Sequence, residues 1–126
     1  VFEGVAYNSR WLLGHVEKLA GKRLDPIVMA GGGALSPLWG QIMADVMGRT
    51  IRLAEDPVMV NVRGVGFLGQ VALGNLRWED IPPLVPIAAV YRPNPDNSAT
   101  YDRLYDAFRR IHKNNRRLYR KLNRSK

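Results

Sequence analysis

The sequence has no cysteine. A disulfide framework and thiolate metal ligation are therefore excluded, and the composition is compatible with a reducing, cytoplasmic setting. Long apolar runs are missing too: none approaches the length of a membrane span, and the first residues resemble neither a secretory signal nor a transit peptide. Histidine occurs only as His15 and His112. They are far apart and lack companions at metal-ligand spacing, which points to surface or helix-packing roles. Ser9 and Ser36 have no evident base beside them, so nucleophilic catalysis finds no support. The adjacent acids Glu79 and Asp80 lie in a proline-flanked loop, where solvation is their expected state, and Asp45 is expected to be solvated or ion-paired. No catalytic or metal-ligating residue is assigned, and no segment repeats another.

What is present is one domain at most, 126 residues long, with an apolar share of 46% that fills a modest core. The chain is in helical pattern from Val1 onward, as a portion of a longer protein would be. Its net charge of +8 is uneven: residues 1–100 carry nine Lys/Arg and nine Asp/Glu, whereas residues 101–126 carry ten basic side chains against Asp102 and Asp106. Basicity is a property of the tail.

The most informative stretch runs from Asp25 to Trp39. Pro26 to Ala30 is a short apolar run bounded by proline and glycine, which predicts a buried strand. Gly31, Gly32 and Gly33 follow, and then Ser36-Pro37 marks a helix start, with a hydroxyl to cap free amides and proline at the first helical position. Leu38, Trp39, Ile42, Met43 and Val46 recur at helical spacing, Gly48 supplies the stop, and Thr50 to Leu53 reads as a second strand. A turn without Cβ atoms can take positive φ and lie against a ligand, while the helix start offers free N–H groups, an arrangement suited to a phosphate or a nucleotide. The competing reading is that the glycines only let the chain reverse. The turn is neither a Walker loop, since no Gly-Lys-Ser/Thr ends it, nor the dinucleotide motif, since Ser36 stands where the third glycine belongs.

Elsewhere, Phe2 to Leu19 predicts a helix with Phe2, Val5, Ala6, Leu12, Leu13, Val16 and Leu19 as its apolar stripe. A further helix is expected from about Asn61 to Gly74, carrying Val62, Val65, Leu68, Val71 and Ala72. Its Gly64-Val65-Gly66-Phe67-Leu68-Gly69 matches the dinucleotide pattern literally. It lacks the strand before, the full helix after and the acidic residue about twenty positions on that the motif needs. Close packing of a glycine-dotted helix against a neighbour is the expectation there. Leu76 to Pro95 reads as an extended surface connection docked by Trp78 and Pro82-Pro83. After the turn at Asn94 to Ser98 comes a last helix with Tyr101, Leu104, Tyr105, Phe108 and Ile111 on its apolar face, interrupted at Asn114-Asn115.

Three stretches together resemble the C-terminal part of the FGGY family of carbohydrate kinases, nearest its xylulokinase-like members. They are Glu3 to Tyr7 with Arg10 to Leu13; Gly31 to Trp39 with Gln41-Ile42, Ala44 to Val46 and Gly48-Arg49; and Arg63 to Gly66, with Tyr91, Pro93 and the Tyr101/Tyr105/Phe108 helix. The second, similar to the family's adenosine-binding signature, is the most specific. The resemblance implies an α/β fold, a helix-rich fragment of an actin-like ATPase (ribonuclease-H-like) domain. It divides the chain into a nucleotide-binding core at 1–75, an extended connection at 76–97 and a basic C-terminal helix at 98–126. It also implies a parent enzyme that transfers the γ-phosphoryl group of ATP, with Mg2+, to a hydroxyl of a sugar, a pentulose such as xylulose being expected. By the same resemblance Gly31, Gly32, Gly33, Ala34 and Ser36 bind the nucleotide. Gly32 and Gly33 lie along its ribose and phosphates, and Ser36 lies near the adenine edge. From backbone sterics, a β-branched side chain at Gly33 is expected to meet positive φ and to project toward the helix start. The catalytic base, the sugar site and the main hold on Mg2+ lie outside this chain, which is expected to be inactive alone. A homodimer and the sugar substrate complete the expected partners. Two other classes stay in view. One is a nucleic-acid-binding module using the basic, aromatic tail, disfavoured because the rings fall at helical spacing. The other is a non-enzymatic interaction domain in which the glycines are only a turn.

Overall fold

In the computed structural model, which describes residues 1–123, four α-helices and three strands alternate: α1 (Phe2–Ala20), β1 (Ile27–Met29), α2 (Pro37–Met47), β2 (Ile51–Ala54), α3 (Val60–Ala72), β3 (Ile87–Tyr91) and α4 (Pro95–Leu122). The sheet has the order β1-β2-β3, with β1 and β2 parallel and β3 antiparallel to β2. The register Val28↔Arg52↔Val90 puts these three on one face of the sheet, where Val28 and Val90 are exposed. The opposite face carries Ile27, Met29, Ile51, Leu53, Ala89 and Tyr91, which pack with Ala44 and Met47 of α2. Alternation along the strands therefore separates core from surface as period-two geometry requires.

Helix α2 is the middle layer. Its other side, with Trp39 and Val46, joins Ala6 and Tyr7 of α1 and the Tyr101, Tyr105 and Phe108 rings of α4 in a second cluster. Gly40 lets α2 sit close on the sheet, because a Cβ there would lie 2.8 Å from the Tyr91 ring. Arg10 ties α1 to both neighbours: its guanidinium donates to the Val46 carbonyl and to Asp102, and stacks 4.4 Å from the Tyr105 ring centre. The tail aromatics expected on the apolar face are thus engaged with the body.

Several expectations are corrected. On α1 part of the expected stripe packs, with Ala6 buried beside Tyr7, Phe2 against Trp39 and Leu13 on the sheet-side cluster, whereas Val5, Leu12, Val16 and Leu19 are exposed; α1 rests on α2 and α4 by the Tyr7 side. Helix α3 buries no residue, leaving Val62, Val65 and Leu68 exposed, and a Cβ built on Gly64, Gly66 or Gly69 would meet no packing partner within 4 Å among the described residues. The connection at 76–97 holds two 3-10 turns and β3, whose partner strand β2 is distant in sequence, and Trp78 is 60% exposed rather than docked. Helix α4 runs unbroken through Asn114 and Asn115, the latter's amide bonding back to the Ile111 carbonyl. Arg124 and Lys126 of the basic tail lie outside the described residues.

Asp45 is buried and satisfied by neutral donors: Gln41 Nε2 at 2.7 Å, the Asn94 N–H at 2.8 Å and Asn97 Nδ2 at 2.8 Å. It fixes the start of α4 against α2. Asp45→Ala is expected to destabilise the protein by about 2–3 kcal/mol, because it strands these donors. Tyr105→Ala or Phe108→Ala should each cost about 2–3 kcal/mol through lost packing, against less than about 0.5 for Arg117→Ala on the exposed side. Chemical denaturation ranks them; an equal or larger loss in Arg117→Ala contradicts the packing described.

Glu17 of α1 accepts from the Leu24 N–H at 2.8 Å and pairs with Arg49, whose Nη2 lies 2.9 Å from each carboxylate oxygen. The Leu24 N–H first, and then the Arg49 guanidinium, hold the Glu17 carboxyl below the usual glutamate range. A depressed carboxyl contributes stability above its unfolded pKa and loses it as pH falls through the folded one. Glu17→Gln is therefore expected to be less stable than wild type at neutral pH and to show a shallower loss on acidification. Urea denaturation at a series of pH values measures both.

Candidate functional site

The glycine turn leaves β1 and enters α2 through a 3-10 turn, Gly32–Leu35. Each of the residues expected to bind nucleotide has a distinct environment. Gly31 has φ 86° and ψ −178°, a conformation that side chains rarely adopt, and donates its N–H to the Pro57 carbonyl at 2.8 Å. The turn is thereby pinned to the loop between β2 and α3. Gly32 is exposed, has an ordinary φ, and a Cβ built on it meets nothing within 4 Å. Gly33 is exposed on its backbone, but a Cβ there would lie 2.9 Å from Trp39 Nε1 and 3.1 Å from Trp39 Cδ1. Ala34 is buried at 6% exposure, and its N–H donates to the Gly31 carbonyl. Ser36 Oγ accepts from the Trp39 N–H at 3.3 Å and so caps α2.

The expectation of positive φ at Gly33 is corrected: the position with positive φ is Gly31, and what excludes a side chain at Gly33 is the Trp39 ring. The anticipated projection toward the helix start is found, since Trp39 lies in the first turn of α2. Gly32 is different again. Among the described residues, neither backbone strain nor packing requires a glycine there.

Residues beyond those expected border the turn. Leu35 and Leu38 are 65% and 64% exposed on its helix side. The loop that bonds Gly31 carries exposed Val58 and Met59. Their apolar character was visible in the sequence, but only the hydrogen bond from Gly31 to Pro57 brings the second pair beside the glycines. Gln41 and Arg49, residues of the signature-like stretch, serve local structure: Gln41 bonds Asp45 and the Arg92 carbonyl, and Arg49 pairs with Glu17. Among the described residues no group of three or more His, Asp or Glu side chains gathers as a metal site. His112 packs on Trp11, ring centres 4.9 Å apart. No described helix is long and apolar enough to cross a membrane.

A parallel strand–turn–helix–strand unit with a bare, exposed backbone at the turn defines a helix-rich α/β fragment. The crystal structure of xylulose kinase from Rhodospirillum rubrum has the same fold over 94% of this chain and 24% of its own, with a TM-score of 0.75 and 25% identity. The fold is that of part of an actin-like ATPase (ribonuclease-H-like) domain. The chain belongs to the FGGY family of carbohydrate kinases, the model of whose C-terminal domain matches residues 1–73. Among curated relatives, it is 29% identical over 120 residues to autoinducer-2 kinase of Salmonella paratyphi B (92% of this chain, 22% of the relative). It is 27% identical over 123 residues to xylulose kinase of Staphylococcus epidermidis (94% and 24%). The chain thus spans about a quarter of the length of the curated relatives it matches.

The three glycines are expected to fail for different reasons when given a side chain. Gly31→Ala strains a backbone at positive φ and extended ψ and should cost about 1–3 kcal/mol, while Gly33→Ala must displace the Trp39 ring and lowers the melting temperature similarly. Gly32→Ala should leave it unchanged, and Ser36→Ala should cost about 1 kcal/mol as a lost helix cap. Thermal melts of the four variants check this order, and a Gly32→Ala change as damaging as Gly33→Ala contradicts it.

Proposed function

We propose that this chain supplies the nucleotide-facing part of a sugar kinase, in which the γ-phosphoryl group of ATP is transferred to a sugar hydroxyl. The observation that carries the reading is the exposed backbone of Gly32 and Gly33 at the turn into the capped start of α2, where a Cβ on Gly32 would face open space among the described residues. A nucleotide lying along the turn would explain it, because close approach of ribose and phosphates excludes even a Cβ. Gly33 shares the exposed backbone, Gly31 sets the direction of the turn, and Ala34 contributes backbone with its methyl group in the core. Ser36 is proposed to sit near the adenine edge while its hydroxyl caps α2. Leu35 and Leu38 offer the base an apolar border.

ATP brings the transferable phosphoryl group; these residues bind and orient it. Phosphoryl transfer further requires a base for the sugar hydroxyl and a divalent cation. No described residue is assigned either task, so both are placed in the remainder of a longer protein, together with the residues that select the sugar. Membership of the family supports a sugar or polyol as acceptor. A pentulose is the specific proposal, favoured by the likeness to xylulose kinases and opposed by none of the residues seen here.

In steady-state assays of the full-length protein with Mg-ATP against ketoses and polyols, phosphorylation of at least one is expected. Gly32→Val should raise the KM for ATP about ten-fold or more, with the melting temperature and nucleotide-free sugar affinity near wild type. The 126-residue chain alone should show no turnover. Unchanged ATP kinetics in a folded Gly32→Val enzyme would sink the assignment of this turn to the nucleotide.

A further inference from the structure

We propose that the groove between α1 and the distal half of α4 is a second binding site, for a small organic anion bearing two phosphoryl groups. The groove encloses about 600 Å3 and is lined by Trp11, Arg109, Arg110, His112, Lys113 and Arg116, with Asp106 at its margin. That volume suits a metabolite-sized ligand. It is remote from the glycine turn. Phe2, at the start of α1, is the residue whose ring meets Trp39, 5.0 Å away; Trp11 lies nine residues further along the helix, about 13 Å at helical rise.

The charges decide the ligand class. None of the four basic residues belongs to an ion pair among the described residues, whose pairs are Arg10–Asp102, Arg23–Asp25, Arg49–Glu17 and Arg77–Asp80. Unpaired cations on one helix repel each other, and an anion that bridges them removes the repulsion. Four cations against one carboxylate leave about three positive charges to match. A single phosphate ester supplies about −2 at neutral pH, whereas two phosphoryl groups supply about −3 to −4. Arg109, Lys113 and Arg116 follow one another at helical spacing over seven residues, a span of about 10 Å, which places two phosphoryl groups on one molecule within reach of separate guanidinium and ammonium groups. The rings of Trp11 and His112 form the wall that would face the carbon skeleton, and His112 Nε2 is a buried polar atom with no partner among the described residues. Asp106 can accept from hydroxyls but repels a continuous phosphate backbone, which favours a small molecule over a nucleic acid.

Calorimetric titration of the full-length protein with a hexose bisphosphate, and separately with inorganic pyrophosphate, tests the site. Saturable binding of the bisphosphate is expected, weakened about ten-fold or more in Arg109→Ala/Lys113→Ala at an unchanged melting temperature. Lys113→Gln, a single exposed substitution, should weaken it about three-fold and serves if the double variant is unstable. Gly32→Val should bind the bisphosphate as wild type does, whatever its effect on ATP. Pyrophosphate binding alone would discard the carbon-skeleton wall and overturn the ligand class. Four further results overturn the site: no saturable binding, affinity untouched by the charge removals, loss in Gly32→Val, or stronger binding of a short single-stranded oligonucleotide at the same salt.

Discussion

The Trp39 ring lies where a Gly33 side chain would be, and much of the chain is arranged by that contact. Trp39 is anchored at the first turn of α2, donates its N–H to the Ser36 cap, and is buried with Ala6, Tyr7 and Val46. The ring therefore couples the turn to the helix layer: moving it would disturb α1 through Phe2 and α4 through Tyr7. Because the ring occupies the inner side of the turn, the glycine backbone is presented outward. A turn held this way is rigid on one side and bare on the other, which is what preorganised binding of a ligand by backbone requires.

Helix α2 is then the element that every other layer shares. The sheet packs on one side of it and α1 and α4 on the other, and Asp45 locks the loop before α4 to it with short, charge-assisted bonds. Burying that carboxylate is tolerable because its donors are in place, and a buried carboxylate lacking them would cost several kilocalories. The proposed site and the stability of the chain thus rest on the same helix. Substitutions at Gly33 or Trp39 should disturb both, whereas Gly32 separates them.

The apolar surface left open is not spread at random. Val5, Leu12, Val16 and Leu19 of α1, Val62, Val65 and Leu68 of α3, and Val28 on the free face of the sheet are all exposed. The chain spans about a quarter of its relatives' length, and these faces accord with the proposal that it works within a larger protein. The distal half of α4 has a different character, with basic residues around Trp11 and His112 rather than a plain apolar stripe.

Sequence alone determined what short-range physics controls. The glycine turn, the Ser36 cap on α2, the stop at Gly48 and the helical spacing of Tyr101, Tyr105 and Phe108 each follow from residues within a turn or two of one another. Those features also carried the resemblance to the family. Tertiary structure alone decided which glycine takes positive φ, which face of α1 is buried and that residues 87–91 form a strand. It also decided that Asp45 is buried, by donors 49 and 52 residues away, and that the groove at Trp11 faces cations nearly a hundred positions later. The reason is the same in each case: backbone propensity and capping are local free energies, whereas burial and pairing depend on which surfaces meet once the chain has closed on itself.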